Sequence, residues 1–580
     1  MMKNSRKKGR SDEMIKGKGF RLRFIGYLFM ILILFFSASG FAQDNYKIEN
    51  ILSKMSLEEK VGQVIFGFFR GPVLTPELEE MIRDYHLGGI ILYSSAGNTE
   101  SPIQVASLIN AVQYCAEKHR QIPPLVSIDQ EGGLVARLTE GVTVFPGNMA
   151  LGATRNTELA KKAAEICARE LRILGITLNF APVVDVNSNP ANPIIGIRSF
   201  GSDPEIVSTL GATMIEPYKK ERVLCTAKHF PGHGDAGIDS HTGLPFINRS
   251  REDLEKVELV PFLQMVQNGV PAVMSAHIVV PDLSEGDDFP ATLSKEILSI
   301  LRDDWGFNGL IITDSMGMGA IDQRWGMEEA SILAFQAGAD VLLFGADKNH
   351  EPAEQKAVYQ ALLGAVQTGR IRESRLDESV KRILYAKTDA AVFSNPYPDF
   401  ANIDELASPE SYKIAREIAM QSITLIKNSE HLLPIDKQVS IPIIWPKEYE
   451  KSLQLLLKNC PNLKPFLLSI EPSDEERKAL REKIRENDMK IIACYDLHRN
   501  TQWKELVDSL SNEKTILIAM RSPYDFLKVT DYGAAIATYG DRPVSIEALG
   551  CILKGEIQPN GQLPVELPGQ YQLGWGLKEF

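Results

Sequence analysis

Eight short apolar runs, each followed by a longer stretch with helical spacing, constrain this chain more than any other feature. They are Val61–Phe69, Gly89–Tyr93, Leu125–Asp129, Thr177–Val186, Val223–Phe230, Ala272–Val279, Leu310–Asp314 and Asp340–Phe344. Eight strand-like runs alternating with helical segments over about 280 residues match the size and rhythm of an α/β fold, a (β/α)8 TIM-type barrel. A doubly wound open sheet shows the same alternation, so the count of eight discriminates between them. Five of the runs end in ionisable residues: Asp129, Asp185, Lys228-His229, His277 and Asp314. In a barrel the C-terminal strand ends converge on one face, where the βα loops build the site.

At 580 residues the chain exceeds one ordinary core. The rhythm breaks at Asn395-Pro396-Tyr397-Pro398, which marks the end of a barrel domain over 43–394. A linker, 395–434, is expected to carry the helical segment Ser411–Ser422 into Ile423-Thr424-Leu425-Ile426. From 435 to 580, strand-like Ile441–Trp445, Ile491–Cys494 and Thr515–Met520 alternate with charged helices such as Ser473–Asn487, giving a second, smaller α/β domain. Ser56-Leu57-Glu58-Glu59 reads as a capping box that starts a helix ahead of the first strand.

The N-terminus reads as a targeting segment. Nine basic residues between Lys3 and Arg23 precede the apolar run Phe24–Phe36, and Gly40-Phe41-Ala42 fits a small-x-small cleavage site. Residues 1–42 are therefore expected to be a signal peptide, with Met14 an alternative start and a retained anchor the rival reading. The expected location is periplasmic or secreted, with no stable membrane insertion after cleavage. A formal net charge of −12, with the main basic cluster inside that leader, excludes a nucleic-acid partner. The six cysteines form no CxxC pair and sit mostly in apolar stretches, as buried free thiols do.

Chemistry concentrates in Lys228-His229-Phe230-Pro231-Gly232-His233-Gly234-Asp235, followed by Asp239-Ser240-His241. Three of the nine histidines fall in this loop, and its glycines exclude a helix. An Asp two residues before a His orients the imidazole and stabilises its protonated form, which suits general acid/base work. The same residues are also potential metal ligands, or a structural loop in which histidines bond backbone carbonyls. The local pattern leaves all three open.

The stretch Lys228–His241 resembles the signature of bacterial β-N-acetylhexosaminidases in family three of the glycoside hydrolases. Further matches are Met55-Ser56-Leu57-Glu58-Glu59-Lys60-Val61-Gly62-Gln63, and Ile128-Asp129-Gln130-Glu131-Gly132-Gly133 with Arg137. Gly196-Ile197-Arg198-Ser199-Phe200-Gly201 and Ile312-Thr313-Asp314-Ser315-Met316-Gly317-Met318 follow. The resemblance covers about residues 50–390 in the barrel. Leu425-Ile426-Lys427-Asn428, Leu432-Leu433-Pro434 and Pro559-Asn560-Gly561-Gln562-Leu563-Pro564 resemble the family's C-terminal α/β sandwich.

The resemblance implies a retaining exo-β-N-acetylglucosaminidase that works through a covalent glycosyl-enzyme, without metal or cofactor. It implies Asp314 as nucleophile, His241 as acid/base and Asp239 as its partner. It implies that Asp129, Arg137, Arg198, Lys228 and His229 hold the terminal sugar. The expected substrate is an N-acetylglucosamine-containing glycan or muropeptide. Retaining hydrolysis normally uses two carboxyl groups; here a histidine replaces one. Asp185 and His277 are expected behind the site, and His233 and Asp235 as loop scaffolding. The rival readings are a β-glucosidase or β-xylosidase of the same family, a metal-dependent hydrolase, and an inert carbohydrate- or cell-wall-binding protein. The first of these relatives generally lack the Asp239-Ser240-His241 loop, and an inert protein would be expected to lose Asp314 or His241.

Overall fold

The computed structural model describes residues 45–240, 243–347, 350–484 and 488–580. The expected signal peptide and His241 lie outside the described residues. Among the described residues, no helix is long and apolar enough to cross a membrane.

The first sheet is an eight-stranded parallel barrel. Its strands begin with β1 (Ile65–Gly67), β2 (Gly89–Leu92) and β3 (Leu125–Ile128), followed by a small hairpin of β4 (Gln130–Gly132) and β5 (Val135–Ala136) outside the barrel. It continues with β6 (Leu178–Asn179), β7 (Leu224–Phe230), β8 (Ala272–Ser275), β9 (Leu310–Thr313) and β10 (Leu342–Leu343). The spatial order is β10-β1-β2-β3-β6-β7-β8-β9. A parallel bridge between Ile312 and Val341 closes the ring, with Thr313 N–H donating to the Val341 carbonyl at 3.0 Å. Every residue of the barrel strands is buried, which is why they read as continuous apolar runs instead of alternating ones.

The closing seam is clamped from below by Asp340. Its carboxylate accepts from the Ile311 N–H at 3.0 Å, Ser379 Oγ at 2.8 Å and Arg382 at 3.1 Å, and it pairs with Arg302. The helices around the ring are set by their caps. Asn156 accepts from the Glu158 and Leu159 N–H groups to start Thr157–Ile173. Ser101 caps Pro102–Lys118, which has Pro102 in its first turn, where proline's missing N–H costs nothing. The first apolar run divides: helix Leu57–Gln63 takes its beginning, and β1 is only the three residues from Ile65.

The second sheet comprises β11 (Thr424–Asn428), β12 (Ile441–Pro446), β13 (Leu463–Leu468), β14 (Lys490–Cys494), β15 (Thr515–Ala519) and β16 (Ala534–Ala537). Its order is β11-β16-β15-β14-β12-β13, with β11 antiparallel to β16 and the other pairings parallel. Helices cover the sheet, and Trp445, Tyr495, Trp503 and Tyr539 are buried in this domain. The segment 395–434, expected as a linker, holds helix Pro409–Ser422 and β11, whose pairing with β16 joins it to the second sheet. The charged helix expected at Ser473–Asn487 runs over Asp474–Lys483, with Ser473 and Glu476 forming a reciprocal capping box.

The two domains meet through backbone groups. Arg155 donates to the Leu563 carbonyl at 2.9 Å, Gln562 N–H to Ala153 at 3.0 Å and Ser202 N–H to Pro564 at 3.0 Å. Gly201 sits against this junction, and a Cβ there would lie 2.2 Å from the Pro564 oxygen. All six cysteines are free, four of them buried.

Candidate active site

A cavity of about 470 Å³ opens at the C-terminal ends of the barrel strands. Tyr93 follows β2, Asp129 follows β3, Lys228 and His229 end β7, and Asp314 follows β9; all line it. Arg137 and Glu131 arrive from the β4–β5 hairpin. The buried Gln130 clasps that hairpin, donating to the Leu138 carbonyl at 2.8 Å and accepting the Leu138 N–H at 3.1 Å. Glu131, the next residue along the hairpin, lines the cavity.

The charges on this wall are closely matched. Lys228 Nζ lies 2.7 Å from both Asp129 Oδ1 and Glu131 Oε1. Arg137 reaches Asp129 Oδ2 at 3.3 Å and lies over the Tyr93 ring at 5.0 Å. Arg198 grips Glu131 with two bonds, of 2.8 and 3.0 Å. Burial alone would raise the Glu131 carboxyl, but Arg198 and Lys228 outweigh it and hold it down at about 2. Burial likewise works against the Asp129 carboxylate, and Lys228 and Arg137 overcome it to hold the group below the usual range. Lys228, also fully buried, is raised because Asp129 and Glu131 outweigh its desolvation.

A second layer orients the first. The fully buried Asp185 carboxylate takes backbone N–H bonds from His229 at 3.1 Å and His233 at 2.6 Å, and sits 2.7 Å from His229 Nδ1. Asp185 thus fixes the His229 ring, whose Nε2 lies 3.4 Å from Arg198. Asn192 ties the Arg198 segment to the histidine loop by donating to the His233 and Gly234 carbonyls at 2.8 and 3.0 Å. Gly234 is required here, since a Cβ would meet the Val186 oxygen at 1.7 Å.

Asp314 is half-buried on the cavity floor, and its Oδ1 accepts the Ser315 N–H at 2.8 Å. Ser315 Oγ bonds Asp347 and accepts the Gly345 N–H at 2.7 Å. Beneath them His277 spans Thr292 Oγ1 at 2.9 Å and the Ser315 carbonyl at 2.8 Å. Asp239 is half-buried, and its neighbour Ser240 lines the cavity. The structure thus gathers Asp129, Arg137, Arg198, Lys228, His229 and Asp314 around one cavity. Among the described residues, the grouping of three potential metal ligands, Glu79, Cys115 and His119, lies outside its lining.

Several lining residues escaped the sequence reading. Glu131 stands inside a quoted motif but two residues beyond a strand end, so the strand-end rule passed over it. His233, expected as scaffolding, lines the cavity itself. Arg499 reaches the lining from the second domain. That domain also grips the cavity rim: Arg542 donates to the Gly133 carbonyl at 2.6 Å, and the Tyr524 hydroxyl bonds Asn187 at 3.3 Å.

A parallel barrel with a cavity at its strand ends lined by paired carboxylates and cations has the architecture of a barrel enzyme with a pocket for a small polar ligand. Residues 56–386 match the model of the glycosyl hydrolase family 3 N terminal domain. The chain is 33% identical over 552 residues to beta-hexosaminidase A of Pseudoalteromonas piscicida, covering 85% of this chain and 91% of that protein. It is 28% identical to a beta-N-acetylglucosaminidase/beta-glucosidase of Cellulomonas fimi over 90% of this chain and 95% of that one. A solved family 3 beta-N-acetylglucosaminidase from Paenibacillus sp. str. FPU-7 superposes with a TM-score of 0.83 at 36% identity, covering 88% of this chain and 99% of that chain. The chain belongs to glycosyl hydrolase family 3 and is a glycoside hydrolase, acting on a carbohydrate.

Proposed function

We propose that this hydrolase removes terminal β-linked N-acetylglucosamine with retention of configuration, through a covalent glycosyl-enzyme. The observation that carries the reading is the Asp314 carboxylate on the floor of a cavity whose wall is the Asp129–Lys228–Glu131–Arg198 network. In this reading the wall holds the sugar hydroxyls and acetamido group, with Arg137 and His229 completing the grip, and fixes the anomeric carbon over Asp314. Relatives named beta-hexosaminidase and beta-N-acetylglucosaminidase support the choice of sugar.

Asp314 attacks the anomeric carbon while His241 gives its proton to the departing oxygen, leaving an ester between sugar and Asp314. His241, now neutral, takes a proton from water, which attacks the same carbon and frees Asp314. Asp239 orients the imidazole and balances its charge. Ser240, between these two residues, lines the cavity, which supports the loop's reach to the site. A fluorosugar that traps the intermediate should label the protein at Asp314, and Asp314→Ala should be folded and nearly inactive. Labelling at another residue would remove the assignment.

A second reading, activity on β-glucosides, is favoured by the Cellulomonas fimi relative, which is named for both activities. Matched aryl glycosides decide between them: the N-acetylglucosaminide should be turned over faster than the glucoside and xyloside. We also propose export, supported by the basic leader, the apolar run and Gly40-Phe41-Ala42. Sequencing of protein from its native host should then begin at Gln43, not at Met1 or Met14.

A further inference from the structure

A second cavity, of about 530 Å³, lies at the opposite end of the barrel, where β9 and β10 begin. Asn308 and Gly338, just ahead of those two strands, are part of its lining. Two helical faces form its walls. Lys295, Ser299 and Arg302 recur at helical spacing along Lys295–Ser299 and the turn Ile300–Asp304 that continues it. Arg375, Glu378 and Arg382 do the same along Glu373–Asp389. We propose that this groove binds a small soluble anion carrying two phosphoryl groups. It faces away from Asp314, so the proposal stands whichever glycoside the catalytic cavity accepts.

The groove reverses the sign of the whole molecule. The chain carries a net charge of −12, yet six cations, Lys295, Arg302, Arg370, Arg372, Arg375 and Arg382, line the groove against two carboxylates, Asp303 and Glu378. Two carboxylates outside the lining answer only part of that charge. Arg370 pairs with Glu329, while Arg302, Arg375 and Arg382 all converge on the fully buried Asp340. Burial pushes the Arg302 guanidinium down to about 10, and Arg382 and Arg375 add to that against the pull of Asp340. Arg375 is lowered too, by burial and by Arg382, with Asp340 and Glu378 opposing. The cations therefore repel one another more than Asp340 can offset, and a bound anion would relieve them.

Holding the barrel seam does not call for this surplus. One guanidinium on Asp340 would neutralise it, and each further one costs desolvation without a carboxylate of its own. The inner guanidiniums are also fixed in place. Arg302 donates to the Gly309 carbonyl at 2.7 Å, and Arg375 donates to the Ala339 carbonyl at 2.8 Å and lies 4.7 Å over the Phe335 ring. Arg382 spends one of its five N–H groups on Asp340, at 3.1 Å. Binding then costs little ordering, and planar forks suit phosphoryl oxygens. The cations stand in two tiers: Arg302, Arg375 and Arg382 are partly buried, whereas Lys295 and Arg372 are exposed at the rim. Two tiers in a cavity of this size fit two linked anionic groups better than one.

The probe is pyrophosphate, titrated into the whole protein by calorimetry at constant ionic strength. It should bind saturably, tighter than about 1 mM, and raise the melting temperature, since a ligand of the folded state stabilises it. Inorganic phosphate, which can fill one tier only, and malonate, which lacks phosphoryl oxygens, should each bind at least about tenfold more weakly. Arg382→Gln should weaken pyrophosphate about tenfold, as loss of a charge-assisted bond does. Arg372→Gln should weaken it several-fold. Arg372 is exposed and makes no capping bond to the helix it precedes, so this variant should melt with wild type when no ligand is present. Pyrophosphate should leave KM unchanged for whichever aryl glycoside the enzyme cleaves. Competition with that glycoside would place the anion in the catalytic cavity and overturn the proposal. Absence of saturable binding, unchanged affinity in both variants, or malonate binding as tightly as pyrophosphate would each overturn it as well.

Discussion

His233 Nε2 and Ser240 Oγ lie 3.1 Å apart, and both residues line the cavity. The contact ties Ser240, next to Asp239, to the segment that follows β7 through a buried ring. Burial, with a contribution from His229 and only partly offset by Asp185, pushes the His233 imidazole down to about 4. Near neutrality it is therefore an uncharged strut.

That depression fixes a sign. Between pH 6.5 and about 4 the unfolded chain binds a proton at this residue that the folded chain refuses, so stability falls as pH falls through the window. A single proton contributes at most about 1.4 kcal/mol per pH unit. His233→Gln keeps a bonding group without the titration. Its unfolding free energy should depend less on pH between 6.5 and 4 than that of wild type, by denaturant titration. Identical slopes would show that His233 protonates freely in the fold.

Glu131 gives a window of the opposite origin. Its folded value of about 2 lies below the usual 4.5, so its stabilising contribution is fully present above pH 4.5 and is lost as pH falls towards 2. Glu131→Ala leaves Arg198 and Lys228 with one carboxylate fewer between two buried cations. Removing one partner of a buried pair costs about 3–5 kcal/mol. We expect a loss of that order in urea unfolding at pH 7, together with weakened sugar binding. A loss below about 1 kcal/mol would mean the network is solvated and the cavity wall far softer than its distances imply.

Much of this site was legible because each strand of a barrel ends where its apolar run ends. Asp129, Lys228-His229 and Asp314 line the cavity, with Asp185 and His277 directly behind. Glu131 was hidden because the chain turns back after β3, and a two-residue offset looks like an ordinary loop carboxylate. Arg499 was hidden for a different reason: its turn belongs to a domain that meets the cavity only in three dimensions. In the second sheet, β13 carries Lys464 and Pro465 on an exposed edge, and β16 is Ala534-Ala535-Ile536-Ala537. Neither has the β-branched or aromatic density that announces a strand. Pairing with neighbours, not propensity, makes both of them strands.

The hold of the second domain on the rim is testable through Arg542, whose Nε donates to the Gly133 carbonyl at 2.6 Å. The same hairpin presents Glu131 and Arg137. Arg542→Ala should raise KM for an aryl N-acetylglucosaminide several-fold while the melting temperature falls by only a few degrees. Arg542→Lys should restore part of the KM. A variant that melts much earlier with KM unchanged would make the contact a matter of stability alone.

The role proposed for His241 separates from a strut or a metal ligand by the leaving group. Departure of a sugar or alkyl alcohol needs a proton on the bridging oxygen, and general acid catalysis typically supplies about 10²–10⁴-fold. Dinitrophenolate leaves without that proton. His241→Ala should therefore slow poor leaving groups far more than dinitrophenol release. Its second step suffers too, because no imidazole remains to activate water, so the glycosyl-enzyme should accumulate. Azide needs no base and should restore turnover, giving the β-glycosyl azide. Asp239→Asn should show a weaker form of the same pattern, since the imidazole remains but is poorly oriented and less basic. A strut would depress all substrates alike without azide rescue, and a metal ligand would lose bound metal along with activity. Equal loss across leaving groups would end the acid/base assignment.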